Sequence, residues 1–152
     1  MLNWGGSLDV RRTKQKIDKI SHQFVDNFEK NVYMPIASHP DIEFIIFFPP
    51  YSIARWLDIY RSGSLMQIIN FNKYLITRLD TLKNCRSYYF QDLEEITHNL
   101  DNYRDQDHHH PKINSWIINQ IAQGNCQVNG NTIDSYSNNL LKQVDLFIKD
   151  KE

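Results

Sequence analysis

Between Asp101 and Pro111 the chain reads DNYRDQDHHHP, a short polar stretch with three aspartates and three consecutive histidines. Such a composition could bind a metal, move a proton or simply face water. Metal binding needs converging ligands. Three adjacent side chains diverge in any regular backbone, so His108, His109 and His110 are poorly placed to share one ion. Neither an HExxH pattern nor a Cys/His pattern occurs, and His22, His39 and His98 are scattered. No metal is therefore assigned. Proton transfer is the sharper chemistry. Asp105 and His108 form D-x-x-H, and that spacing across a turn lets the carboxylate accept the imidazole Nδ1–H. The tautomer is then fixed and Nε2 is left free to take a proton from a hydroxyl. Asp107 and His110 repeat the spacing and compete for the role, and a polar surface loop without chemistry is the third reading.

What the loop can do depends on the elements that hold it. It follows CRSYYFQD, Cys85 to Asp92, which reads as a strand ending in polar residues, and then an irregular polar connection with one helical turn near Leu93 to Ile96. After it, Pro111 suits a first helical position, and Ile113, Trp116, Ile117 and Ile121 form one apolar face before Gly124 closes the helix. A helix starting there brings its positive end near the loop, which favours the neutral imidazole a base needs. Upstream, IEFIIFFPPYS is almost continuously apolar from Ile42 to Phe48 and stops at Pro49-Pro50. That pattern predicts a strand buried on both faces, as in a parallel sheet covered by helices. Between the two strands, helix is predicted from about Ile53 to Leu82 with a break near Arg61 to Ser64, and Ile68, Phe71, Leu75 and Leu79 share a face.

The ends of the chain read as helices. The spacing of Ile17, Ile20, Phe24, Phe28 and Val32 predicts an amphipathic helix over about 9–38, capped by Ser7 or Asp9 and stopped by Pro40. An NGN turn at Asn129 precedes a helical tail over about 131–150 through Leu140, Val144 and Phe147. With the core over about 41–123, residues 1–152 make a single domain, long enough to bury roughly two-thirds of its unfolded surface. Strands alternating with helices define an α/β class, a partial three-layer α/β/α sandwich of the flavodoxin-like kind. Two parallel strands are a poor free-standing core, so the N-terminal strands of such a sheet are expected before residue 1 or in a partner.

Bulk properties narrow the function classes. Hydrophobic residues make up 41% of the chain, too many for intrinsic disorder. A formal net charge of -1 argues against a dedicated nucleic-acid binder, and the short basic run Arg11 to Lys16 reads as a solvated helix face. Cys85 and Cys126 lack a CxxC spacing, so neither zinc nor a redox motif is indicated. No stretch approaches the ~20 apolar residues of a membrane span, and MLNWGGSLDVRR lacks a signal peptide's apolar core. The chain as given is expected to be cytoplasmic.

HPDIEFIIFFPPYSIARW, followed by YYFQDLEEITHNLDNYRDQDHHHPKINSWIINQI, resembles a bacterial group of SGNH/GDSL-hydrolase-like proteins. The shared features are a strand ending in a PPYS-type motif, a later strand running into F-Q-D, and an N-Y-x-D-x-x-H segment. They run in the same order from about Asn31 to Ile121. The resemblance implies an SGNH-type sheet, with Asn102, Tyr103, Asp105 and His108 on the last motif, Asp105 as orienting acid and His108 as general base. Pro50, Tyr51 and Ser52, with Tyr103, would line a substrate pocket. His109 stands where the group carries tyrosine. The family's serine nucleophile lies in a G-D-S-type block after its first strand, and the oxyanion-hole glycine and asparagine also precede the region matched here. GGSLD at Gly5 to Asp9 only echoes that block, and Ser7 is read as a helix cap; Ser52 lacks the small neighbours of a nucleophile elbow.

The expected activity of the complete enzyme is therefore ester hydrolysis or acyl transfer without a cofactor, on an ester-bearing small molecule or a cell-envelope glycan or lipid. This chain alone is expected to be inactive, with a separate N-terminal half, or a second copy, as partner. A relative acting on the envelope would carry an export segment in its N-terminal part. The rival expectation is a non-catalytic interaction module that uses an exposed sheet edge.

Overall fold

A computed structural model describes residues 20–150. The first strand, β1 (Phe44–Phe48), is followed by helices α3 (Ile53–Arg61) and α4 (Leu65–Leu79), then by β2 (Cys85–Tyr89). Before β1 lies a helical run made of α1 (His22–Phe28), a π-helical turn (Glu29–Tyr33) and α2 (Met34–Ala37). After β2 come a short α5 (Glu94–Thr97), a 3-10 turn (Leu100–Asn102), α6 (Pro111–Ala122), β3 (Gln127–Val128) and α7 (Ile133–Lys149). The protein is thus of mixed α/β class. Among the described residues no helix is long and apolar enough to cross a membrane.

β1 and β2 pair in parallel from Phe44↔Cys85 to Phe48↔Tyr89. On β2's other side, β3 pairs antiparallel through Ser87↔Val128 and Tyr88↔Gln127, giving the order β1-β2-β3. The sheet is therefore mixed, not purely parallel as the helix–strand alternation predicted. The return is made by two left-handed residues, Gly124 and Cys126 (φ 74° and 62°), which reverse the chain after α6. Cys85 and Cys126 are both free and half-buried, and burial pushes both thiols up.

One sheet face is covered by α4, α7 and the N-terminal helical run. Phe48, Tyr89 and Val128 pack with Ile76 of α4 and Ile133 of α7, while Phe28, Ile36 and Leu79 join a neighbouring cluster against Phe44 and Ile46. On the other face α6 lays Ile113 and Ile117 over Tyr88 and Phe90. That helix covers β2 and leaves β1 bare. Ile45 and Phe47, on the same side as Tyr88, remain 44% and 43% exposed, and Ile42 is exposed as well. β1 thus alternates, against the expectation of burial on both faces. Its composition is that of a doubly covered strand, but among the described residues only one of the two covering layers lies over it.

The helices show how burial selects among candidate stripes. α4 buries Leu65, Ile69, Asn72, Ile76 and Leu79; of the predicted Ile68, Phe71, Leu75 and Leu79, only Leu79 is in this set and the other three are half-buried beside it. Because α4 is touched by α1, α3, α7 and β2, its apolar arc is wide. Ile68 packs on the α3–α7 cluster, and Phe71 and Leu75 on the α1 cluster. Among the described residues the N-terminal helical run begins at His22, after an extended Ser21; the part of the expected 9–38 helix before residue 20, with its caps Ser7 and Asp9, lies outside the described residues. A charged clamp holds it to α4. Glu29 accepts hydrogen bonds from Tyr74 Oη at 2.5 Å and from Arg78 Nε and Nη2 at 2.9 and 3.1 Å, and the Arg78 guanidinium lies 3.7 Å over the Tyr33 ring. The bond from Tyr74, then those from Arg78, hold the Glu29 carboxyl below its usual range.

α7 closes the core through Ile133, Leu140 and Val144, with Leu140 fully buried against Ile53, Trp56 and Ile69. Leu140→Ala should therefore destabilise the chain by roughly 2–5 kcal/mol, read as a lower urea midpoint with an unchanged slope.

Candidate functional site

The site is assembled where β1 stops. Pro49 and Pro50 lack the N–H groups that would continue a ladder, and Ser52 turns the chain into α3 as its N-cap, with Oγ accepting the Arg55 N–H at 3.2 Å. The same hydroxyl donates to the Gln106 carbonyl at 2.9 Å, and the Ser52 N–H reaches that carbonyl at 3.3 Å. Two further contacts tie the loops together. Tyr103 Oη donates to the Pro50 carbonyl at 3.3 Å, and Arg55 Nε lies 3.0 Å from Asp107 Oδ1. Pro50, Ser52, Tyr103, Asp105 and His108 are thus brought into one neighbourhood from positions about fifty residues apart. Tyr51 points elsewhere, packing on Trp56 and the α3–α7 core, with its ring centroid 6.1 Å from the indole.

Within the loop, Asp105 is an organising acceptor. Its Oδ1 takes the backbone N–H groups of Asp107 and His108, both at 2.9 Å, an Asx-type turn. His108 Nδ1 lies 2.8 Å from each Asp105 oxygen. A carboxylate can only accept, so the geometry selects the Nδ1–H tautomer and leaves Nε2 with its lone pair. No described residue bonds that nitrogen. The two backbone donors, then the His108 ring, hold the Asp105 carboxyl below the usual aspartate range. Both side chains are open to water, Asp105 at 58% and His108 at 76%.

The alternatives of the histidine run separate cleanly. Asp107 is occupied by Arg55, so it does not orient His110. His110 is instead the N-cap of α6, its Nδ1 accepting the Lys112 N–H at 3.2 Å, with Pro111 as first helical residue. His109 bonds Asn114 Oδ1 through Nε2 at 2.7 Å and pairs its backbone with Tyr103 in an antiparallel bridge. The three rings therefore take three different partners. Nor do any three His, Cys, Asp or Glu side chains among the described residues converge as a metal site would require. Asn102 is buried and braces the loop from behind: its carbonyl accepts the His110 N–H at 2.6 Å and its Nδ2 donates to the Ile96 carbonyl.

Ser52 is 1% exposed, and its hydroxyl proton is committed to Gln106. It is a structural tie and not a nucleophile. Ser7 lies outside the described residues. Two open depressions lie elsewhere, one along α1 and α4 and one beside Asp92. The Asp–His pair thus stands at the rim of the strand end with an unwalled Nε2. Sequence reasoning missed the roles of Gln106 and Arg55. Gln106 acts through its backbone carbonyl, which no residue type announces, and Arg55 on α3 is distant in sequence from Asp107.

No family model, no curated protein and no solved structure matches the chain.

Two outcomes test this geometry. Because its folded pKa is depressed, Asp105 stabilises the loop above its unfolded pKa and loses that effect only as pH falls through the lower folded value. The Asp107 and His108 amide protons should therefore shift at a pH below the ordinary aspartate range, as followed by two-dimensional NMR. Ser52→Ala should cost about 0.5–2 kcal/mol as a lost cap and should also speed amide exchange at Asp107 and His108. A change confined to α3 would show that the loop is held without Ser52.

Proposed function

We propose that this chain is the acid–base half of an SGNH/GDSL-type serine hydrolase, working on an ester-bearing small molecule or a cell-envelope glycan or lipid. The observation that carries the reading is the Asp105–His108 pair, whose backbone-braced carboxylate fixes the ring and leaves Nε2 open beside the end of β1. In the complete enzyme a serine Oγ from the complementary half attacks the ester carbonyl while Nε2 takes its proton. The C–O bond to the leaving alcohol then breaks as His108 returns that proton, and Asp105 stays ionised, compensating the transient imidazolium. Water repeats the sequence on the acyl-serine; an acceptor alcohol in place of water makes it a transfer. No cofactor enters these steps.

The location of the complement is supported by β1. Its outer edge is unpaired among the described residues, Ile45 and Phe47 face water on its bare side, and Ile42 in the preceding turn is exposed as well. An added strand with its covering helix would bury that surface and wall the His108 side of the strand end. The same surface supports a second reading, a non-catalytic interaction module that docks a partner strand and has no turnover.

p-Nitrophenyl acetate separates the two. Hydrolysis should be absent for the chain alone, appear when the polypeptide encoded immediately upstream is supplied, and fall about 10²–10⁴-fold in His108→Ala. Binding without turnover selects the interaction module, whereas activity of the isolated chain that survives His108→Ala rejects the hydrolase reading. Replacing Ile45 and Phe47 together by Thr should alter the stability of the isolated chain by only about 0.5 kcal/mol while weakening capture of the upstream polypeptide. Capture that survives the pair assigns the docking surface elsewhere.

A further inference from the structure

The NGN turn between β3 and α7 takes no part in the Asp105–His108 site and carries chemistry of its own. Asn129-Gly130 is the one Asn-Gly step in the sequence. An asparagine before glycine is open to attack on its own side chain, because no Cβ shields the following amide nitrogen. In that reaction Gly130 N bonds to Asn129 Cγ and the Cγ–Nδ2 bond breaks. The proton of the Gly130 N–H joins the departing amino group to make ammonia, and a succinimide ring remains. Water then opens the ring at either carbonyl, giving aspartate or, with an extra methylene in the backbone, isoaspartate.

The turn holds both reacting groups away from that step. Asn129 Oδ1 accepts the N–H groups of Asn131 at 2.9 Å and of Thr132 at 3.1 Å. In return the Asn129 N–H donates to Thr132 Oγ1 at 3.0 Å, a reciprocal arrangement of the capping-box kind just ahead of α7. The Asn129 carbonyl accepts the Thr132 and Ile133 N–H groups at 3.2 and 3.1 Å, which fixes the backbone as well. The nucleophile is also engaged. Gly130 N–H donates at 3.1 Å to Oδ2 of Asp80, at the C-terminal end of α4. The approach is close enough to favour glycine, since a Cβ there would stand 3.3 Å from Asp80 Oδ2 and 3.7 Å from Thr77 Cα. Ring closure swings the Asn129 side chain and the Gly130 peptide toward each other, which breaks the Oδ1 bonds and the bond to Asp80. The carboxylate's charge also opposes the amide anion through which the attack proceeds.

We infer that Asn129-Gly130 is a latent self-modification site, kept intact by the hydrogen bond from Gly130 to Asp80 and opened when the turn lifts off α4. The consequence reaches the core. A succinimide or an isoaspartate removes the cap arrangement that leads into α7, the helix that buries Ile133, Leu140 and Val144. A local opening of the turn is thereby converted into a permanent change.

The test is ageing of the full chain at mildly alkaline pH, with peptide mass spectrometry and isoaspartyl methyltransferase labelling at Asn129. The folded native chain should be modified several-fold more slowly than the same chain in urea. Asp80→Ala should remove most of that difference while still folded, and so should Thr132→Val, which deletes the acceptor of the Asn129 N–H. Both residues are exposed, so both variants are expected to fold. Ile117→Ala lowers stability from the opposite sheet face and should leave the rate unchanged. A folded native chain modified as fast as the unfolded one overturns the inference. So does an Asp80→Ala rate equal to the native rate, or an equal acceleration in Ile117→Ala, which would make global unfolding the route.

Discussion

The site hangs on one backbone carbonyl. Gln106 C=O accepts both the N–H and the Oγ–H of Ser52, and Ser52 is itself fixed by the double-proline stop of β1 and by its duty as cap of α3. Asp105 and His108 would keep their mutual spacing without that tie, because the Asx-type turn is local. What they would lose is their place at the strand end. The Tyr103–Pro50 and Arg55–Asp107 contacts act in the same direction, so the loop is braced against β1 and α3 more than against the helix that follows it. Ser52 in this way makes the PPYS segment and the D-x-x-H segment one unit.

The energetics explain why the pair is built from backbone donors. A carboxylate–imidazole contact this open to water is screened and contributes little to stability. Its order comes instead from two amide hydrogen bonds on one carboxylate oxygen, which cost no extra side-chain entropy once the turn is formed. Proton transfer to Nε2 is a different demand. It needs a low-dielectric, water-poor surrounding, which a rim with no wall does not provide. Ile45 and Phe47, at the same end of β1, are likewise open to water among the described residues.

The pair was legible in the sequence because D-x-x-H is local: its turn and its tautomer follow from residues within three positions, whereas the competing Asp107–His110 pair is set aside only by Arg55, far off in sequence. The helix at Pro111 and the strands at Phe44 and Cys85 were legible for the same reason, through periodicity and breakers. Three features were not. β3 is two residues long and exists only through its pairing with Ser87 and Tyr88, so no period announces it. The buried stripe of α4 depends on four neighbouring elements, and a wide apolar arc offers several stripes of equal quality. The bare face of β1 is invisible to composition, since IEFIIFF records a demand for two covers and not their presence.

The two strand ends also differ in a way that carries meaning. Buried polar groups cost desolvation unless they are fully paired, and a half-satisfied network is worse than an apolar one. At the end of β2 the chain nonetheless buries Gln91 against Asn72 and Asp92 against Asn139 and Gln143. At the end of β1 it does the opposite and leaves an acid–base pair in water. Neither arrangement is accounted for by stability. The end of β2 leaves Asp92 Oδ1 and Gln143 Oε1 without a hydrogen-bond partner among the described residues, and the end of β1 leaves His108 Nε2 open. The C-terminal edge of a sheet with parallel strands is where such groups are expected, because loops from successive strands meet there while helices fill both faces.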